Sequence, residues 1–199
     1  MPRSPGASCS QALHRLIHNG RPVHKKNPVK RSAPQPSKPS LKFWFLSNAT
    51  PRSLKLTITQ DGAIQPLVET AISASLHPGI QGVRLGEYGV RLSRGAHYQW
   101  LLTLGAGPDN PSLYSFAGGA IERSDLPQTL SAKLTKAEKS EVPTLYAEAG
   151  FWHDAMTAIS ELIQAAPNDL GLRAQRAALL EQVGLREAAA CDLSQTKED

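Results

Sequence analysis

Gly150 and Gly184 lie 34 residues apart, and the sequence around them repeats in register. Leu145, Tyr146, Ala149, Phe151, Ala155 and Ile159 are answered 34 positions later by Leu179, Leu180, Val183, Leu185, Ala189 and Leu193. Pro167 closes the first unit. Glycine tolerates the left-handed backbone that a tight reversal between two helices needs. Apolar residues at three- and four-residue steps on either side define a buried face. The echo therefore constrains the C-terminal part to paired helices, with the small Ala155 letting two axes approach. Two units are fewer than the roughly three that a free-standing array needs. The helices are expected to pack their open face on the rest of the chain, or on another molecule.

Asp125 opens this helical half, residues 125–199. Leu126, Leu130 and Leu134 recur at four-residue steps, with Pro127 in the first turn. A second helix starts at Ser140 and ends at Gly150. A third carries apolar residues at 155, 156, 159, 162, 163 and 166, which fit one helix face. Asn168 or Asp169 caps a fourth, Gly184 ends it, and a short fifth runs toward Leu193. With Gly, Ala and Pro at these offsets, the period resembles the tetratricopeptide helical hairpin. That resemblance implies a scaffold that docks other surfaces and rarely carries chemistry.

Residues 41–124 read differently. Lys42–Leu46 is a compact aromatic strand. Leu54, Leu56 and Ile58 alternate with Lys55, Thr57 and Thr59, the pattern of a half-buried strand. Asp61-Gly62 marks a turn, and Val68–Leu76 reads as the returning strand. Further strands are expected at Val83–Leu85, Tyr88–Leu92, Tyr98–Leu104 and Tyr114–Ile121, separated by Gly, Pro and Asn clusters. Short strands spaced by turns suggest an antiparallel sandwich. The fold class expected is α+β: an antiparallel β-sandwich followed by the tetratricopeptide-like helical hairpin region packed on it.

Charge is uneven. Of the 22 Lys and Arg, eight lie in residues 1–40, which hold seven Pro and no Asp or Glu; the remaining 14 face 17 acidic residues. Residues 1–40 read as a disordered basic arm, since so polar a segment cannot bury enough apolar surface to offset its ordering entropy. A short helix at Ser10–Asn19 is compatible with its pattern. The cluster Lys25, Lys26, Lys30 and Arg31 could attach weakly to an acidic membrane or polysaccharide, at about 1 kcal/mol per basic residue. No aromatic sits among these charges to stack on bases, and the rest of the chain is slightly acidic, which argues against nucleic acid. His14 and His18 sit four residues apart near Cys9 and His24, but a Pro-rich arm does not fix four ligands in metal geometry. No metal or cofactor is expected. A bridge between Cys9 and Cys191 would join two chain ends and is not the expectation. No apolar run reaches membrane-spanning length. As written the chain is expected in the cytoplasm; a secretory signal missing from its start would move it to the cell envelope.

Four segments carry a family likeness. Phe43-Trp44-Phe45 is an early aromatic strand. Gly95, Tyr98 and Trp100 form a G-x-x-Y-x-W strand. Gly119, Ile121, Glu122 and Arg123 resemble a G-W-I-E-R strand, with Ala120 in place of the Trp. Tyr146 to Ala155, including Gly150, Trp152 and Asp154, resembles a Y-A-x-x-G-I-W-Y-D-A helix junction. Together they resemble the cyanobacterial family called domain of unknown function 928, over residues 43–193. Gly105-Ala106 stands where that family often has Cys, and Cys9 looks like the family's N-terminal Cys. The resemblance implies a fold and an envelope setting, and no activity.

Trp100 alternates with Leu102 and Leu104 and should point into the sandwich; Trp152, at the hairpin turn, should cover the joint between helices. Glu122 and Arg123 are adjacent on a strand and face opposite sides, so they form no mutual ion pair. One of them is placed to bridge the sheet to the helices. G-x-S-x-G, P-loop, G-x-G-x-x-G and H-E-x-x-H motifs are absent from the sequence. No catalytic residue is assigned. The function expected is a non-enzymatic protein–protein interaction or scaffold module. The alternative is an envelope protein that binds carbohydrate or another polymer through the sandwich, using Trp44 and Trp100.

Overall fold

The structure, a computed structural model, describes residues 29–32, 41–46, 54–72, 78–105 and 115–194. Among these residues seven strands precede five helices. The strands are β1 (Val29–Ser32), β2 (Leu41–Leu46), β3 (Leu54–Gln60), β4 (Val68–Ile72), β5 (Gly79–Arg84), β6 (His97–Leu104) and β7 (Ser115–Ser124). The helices are α1 (Gln128–Lys136), α2 (Val142–Glu148), α3 (Trp152–Ala165), α4 (Leu170–Gln182) and α5 (Arg186–Ser194). The α+β class expected from the sequence holds.

The larger sheet is open, with strand order β1-β7-β6-β3-β4. β4, β3, β6 and β7 are antiparallel neighbours, and β1 joins parallel to β7. β2 and β5 form a separate antiparallel ladder. Alternation decides which face is buried: Leu54, Leu56 and Ile58 of β3, Tyr98, Leu102 and Leu104 of β6 and Ile121 of β7 all point to one side. That side is closed by Val83, Leu85, Val90 and Leu92. Burying each such aliphatic side chain stabilises the fold by about 1.5–3 kcal/mol. The phenol of Tyr98 is 1% exposed, and its oxygen accepts the Ser93 amide at 2.9 Å, which ties the covering segment to the sheet.

Two expectations change here. Val29–Ser32 falls within the arm expected to be disordered, yet it pairs along β7 from Val29 opposite Ile121 to Ser32 opposite Ser124. Lys30 and Arg31 therefore stand on a strand; Lys25 and Lys26 lie outside the described residues, as do Cys9 and the His14, His18 and His24 group. Tyr88–Leu92 is not a strand. A 3₁₀ turn spans Leu85–Tyr88, and irregular backbone then buries Val90 and Leu92. The returning strand is present as β4, Val68–Ile72, and residues 73–76 of the expected strand lie outside the described residues.

The helices follow their apolar spacing. α3 buries Ala155, Met156, Ile159 and Ile163 on one face. Asp169 caps α4, its Oδ1 accepting the amides of Gly171 at 2.8 Å and Leu172 at 3.1 Å. Both glycines of the echo are left-handed, with φ of 79° at Gly150 and 81° at Gly184. The two reversals are bonded alike: Phe151 N donates to Tyr146 O, and Leu185 N donates to Leu180 O, each at 2.9 Å.

The helices do not stand apart from the strands. Ile80 of β5 and Phe45 of β2 pack against the helical core. Val83, three residues beyond Ile80, belongs to the core of the sheet. β5 therefore presents residues to two cores. Cys191, 4% exposed on α5, is disulfide-bonded, contrary to the expectation that the ends would stay unlinked. The only other cysteine in the sequence is Cys9.

Candidate functional site

The expected motif residues fall into two groups. Tyr98, Trp100, Gly119, Glu122 and Arg123 meet in the sheet. Trp100 lies opposite Gly119, and a Cβ on that glycine would sit 3.2 Å from the indole nitrogen. The indole packs against the core of the sheet and leaves little room for a side chain at position 119. Arg123 Nη1 donates to the carbonyl oxygen of Leu92 in the covering segment, so it does not bridge to the helices. Glu122 Oε1 accepts the Ser124 hydroxyl at 3.3 Å and makes no bridge to the helices in that bond either. Trp44 is placed by its backbone, opposite Gln81.

The second group forms the helical joint. Trp152 Nε1 donates to the carbonyl oxygen of Leu179 at 2.8 Å, tying the start of α3 to α4. Tyr146 packs on the same core, and Ala155 is wholly buried there. Asp154 stands in the first turn of α3, where the helix dipole favours an acid. Gly150 and Gly184 make the reversals. These residues build the architecture; the two groups do not converge on one site.

A cleft of about 300 Å³ opens elsewhere, between β5 and the helices. Ile80, Gly82 and Arg84 line it from β5, and Glu87 from the 3₁₀ turn. Ser160, Glu161, Ile163 and Gln164 line it from α3, and Arg176 from α4. Ile80, Gly82 and Arg84 share one face of the strand because side chains alternate. Ser160 and Gln164 share one face of α3, being one turn apart.

A buried charge cluster stands behind the cleft. Asp192 of α5 is fully buried and the Arg176 side chain is 9% exposed. Arg176 Nε donates to Asp192 Oδ2 at 2.8 Å and Nη2 donates to Oδ1, a two-point grip. Arg176 Nη1 donates to the Ser160 hydroxyl at 3.3 Å. Arg173 Nη1 lies 3.7 Å from Asp192 Oδ1, and the same side chain donates twice to the carbonyl oxygen of Pro167. Arg84 and Glu87 pair at 3.7 Å on the outer wall, with both side chains well exposed. Among the described residues, no group of three or more His, Cys, Asp or Glu is placed to hold a metal ion.

Sequence patterning assigns none of Ser160, Arg173, Arg176 or Asp192 to a site. A signal is nonetheless present: Arg176 and Asp192 both stand among apolar residues on the buried stripes of their helices, beside Ala177 and Leu180, and beside Ala188 and Cys191. No helix among the described residues is long and apolar enough to cross a membrane. No curated protein matches the chain. The family model described as Domain of Unknown Function (DUF928) matches residues 28–193, and the chain belongs to that family.

Proposed function

We propose that the chain is a non-catalytic module for protein–protein interaction, and that the far end of its helical stack is the docking surface. In this reading α2–α5 are two tetratricopeptide-like hairpins, a view supported by reversals that are bonded alike 34 residues apart. The β2–β5 ladder and the segment after it then serve as the second layer of a small sandwich.

One observation carries the interaction reading. Ile159 is completely buried, while its counterpart in the second unit, Leu193, is 44% exposed. The first unit is covered by the second, and the second offers the same apolar position to a partner. Val183, on the Gly184 reversal, is also exposed. A non-catalytic role is further supported by the commitment of charged groups in the cleft to ion pairs. The disulfide at Cys191 supports an oxidising setting such as the cell envelope, since such bonds persist there.

The test is photo-cross-linking from position 193 of the full chain, which should trap a defined protein. Leu193→Glu should release that protein and leave the melting temperature unchanged. Recovery of the same partner by the Glu variant would sink the reading. Binding of an envelope polymer by the sheet is the weaker alternative. Trp100 packs against the core, and the exposed face offers Phe116 as its large aromatic among the described residues.

A further inference from the structure

We infer that the open edge of β4 is a surface for self-association. The β4 strand of a second copy pairs with it antiparallel, about a two-fold axis through Thr70. The inference is independent of the docking surface at Leu193.

The edge itself is the first observation. β4 ends the five-stranded sheet, and among the described residues it pairs on one side alone, with β3. An edge strand turns a row of N–H and C=O groups outward, and native edges are usually blunted by Lys, Pro or a covering segment. Val68-Glu69-Thr70-Ala71-Ile72 holds no Lys and no Pro. Its one charge, Glu69, is drawn back across the sheet to Lys55, whose Nζ lies 3.1 Å from Oε1. Ile64 and Leu67 stand in the turn that leads into the strand, 101% and 49% exposed. A single copy therefore leaves apolar side chains to water beside an edge ready to pair.

The order of side chains selects the occupant. A two-fold interface brings the same patch of both copies together, so the patch must complement itself. About Thr70 this strand does so. Val68 meets the partner's Ile72, Thr70 meets the partner's Thr70, and Glu69 meets the partner's Ala71. Val68 and Ile72 already pack with the core of the sheet, so the pairing carries one buried face into the next. Apolar pairs and Thr pairs across strands are favourable. Centring the axis on Glu69 would set two carboxylates directly opposite each other, which is unfavourable. An axis between two residues would set core-facing side chains against outward-facing ones. Thr70 is also the one centre that overlaps the whole strand. Two five-stranded sheets then form one of ten strands, within the size that twisted open sheets reach. So short a strand makes a small contact, and the dimer forms and dissociates with concentration.

Sedimentation equilibrium of the full chain over a concentration series tests this. The average mass should rise from that of one chain toward that of two. Ala71 is exposed, and in the dimer it lies opposite the partner's Glu69. Ala71→Glu sets like charges opposite each other twice and should weaken dimerisation about fivefold. Ala71→Lys sets opposite charges there twice and should tighten it about fivefold. Within one copy Ala71 lies opposite Lys55, so the effects of these variants on the stability of the single chain run the other way. Leu193→Glu should dimerise as the parent chain does. A chain that stays monomeric up to about 1 mM would overturn the inference. So would a dimer that the two Ala71 variants leave unchanged or shift in the same direction. Loss of the dimer in Leu193→Glu would assign it to the helical end and overturn the inference as well.

Discussion

Replacing Asp192 by Ala distinguishes two physical accounts of the last helix, because they predict opposite signs. Asp192 lies near the C-terminal end of α5, where the helix dipole disfavours an acid. Alanine also has the higher helix propensity, by up to about 0.7 kcal/mol. On local grounds alone Asp192→Ala should stabilise the protein slightly. The tertiary structure predicts the reverse. The carboxylate is 0% exposed and receives two hydrogen bonds from Arg176, whose own side chain is 9% exposed. Without it the Arg176 guanidinium is left buried and uncompensated, a loss of about 3–5 kcal/mol for a broken buried pair. Arg173 is 14% exposed and can turn toward water, so it adds little. Against a typical total stability of about 5–15 kcal/mol this is a large fraction. Urea unfolding at fixed pH, extrapolated linearly to water, measures it. The double variant Arg176→Met/Asp192→Leu should recover most of the loss, because a buried ion pair replaced by apolar groups of similar volume is often neutral or better. A cost below about 1 kcal/mol for Asp192→Ala would refute the idea that the buried pair outweighs the local helix preferences, since that is the range of exposed pairs. A double variant as unstable as the single one would refute it too.

Gly150→Ala and Gly184→Ala should each cost about 1–2 kcal/mol and lower the melting temperature by similar amounts. A Cβ meets nothing within 4 Å at either site, so the cost is backbone conformation alone. Gly118→Ala should cost more than an ordinary strand Gly→Ala change, on the order of 1–3 kcal/mol. Its Cβ would stand 2.7 Å from the Trp100 carbonyl oxygen, and β6 or β7 must shift; circular dichroism melting checks this. Thiol titration of the unfolded, unreduced chain should find no free thiol, and reduction should reveal both of its two cysteines.

Local signals in the sequence carry far and then stop at contacts between distant segments. The alternation of Leu54, Leu56 and Ile58 predicts β3, and Asp61-Gly62 predicts its turn, because each depends on neighbours along the chain. The 34-residue echo predicts two left-handed glycines for the same reason. β1 escapes such reading because Val29-Lys30-Arg31-Ser32 is short and basic, and its partner strand β7 lies far along the chain. Tyr88–Leu92 looks like a strand because Tyr88, Val90 and Leu92 alternate, although alternation also serves a segment that lays every second residue on a sheet it never joins. The Arg176–Asp192 pair is hard to foresee because charges are ordinarily solvated. Their positions inside apolar stripes are the available clue.

β5 has a consequence for how this chain can be divided. Ile80 packs on the helical core and Val83 lies in the sheet core, so one short strand is a shared wall. Cutting the chain between residues 124 and 125, where the sequence changes character, would leave that wall on one fragment and its helical tenants on the other. Each fragment would expose a surface that the intact chain never shows to water. A search for partners that used either piece alone would then recover whatever sticks to a torn core. The smallest piece that keeps the native surface runs from β1 to α5, nearly the span that the family model matches as a unit.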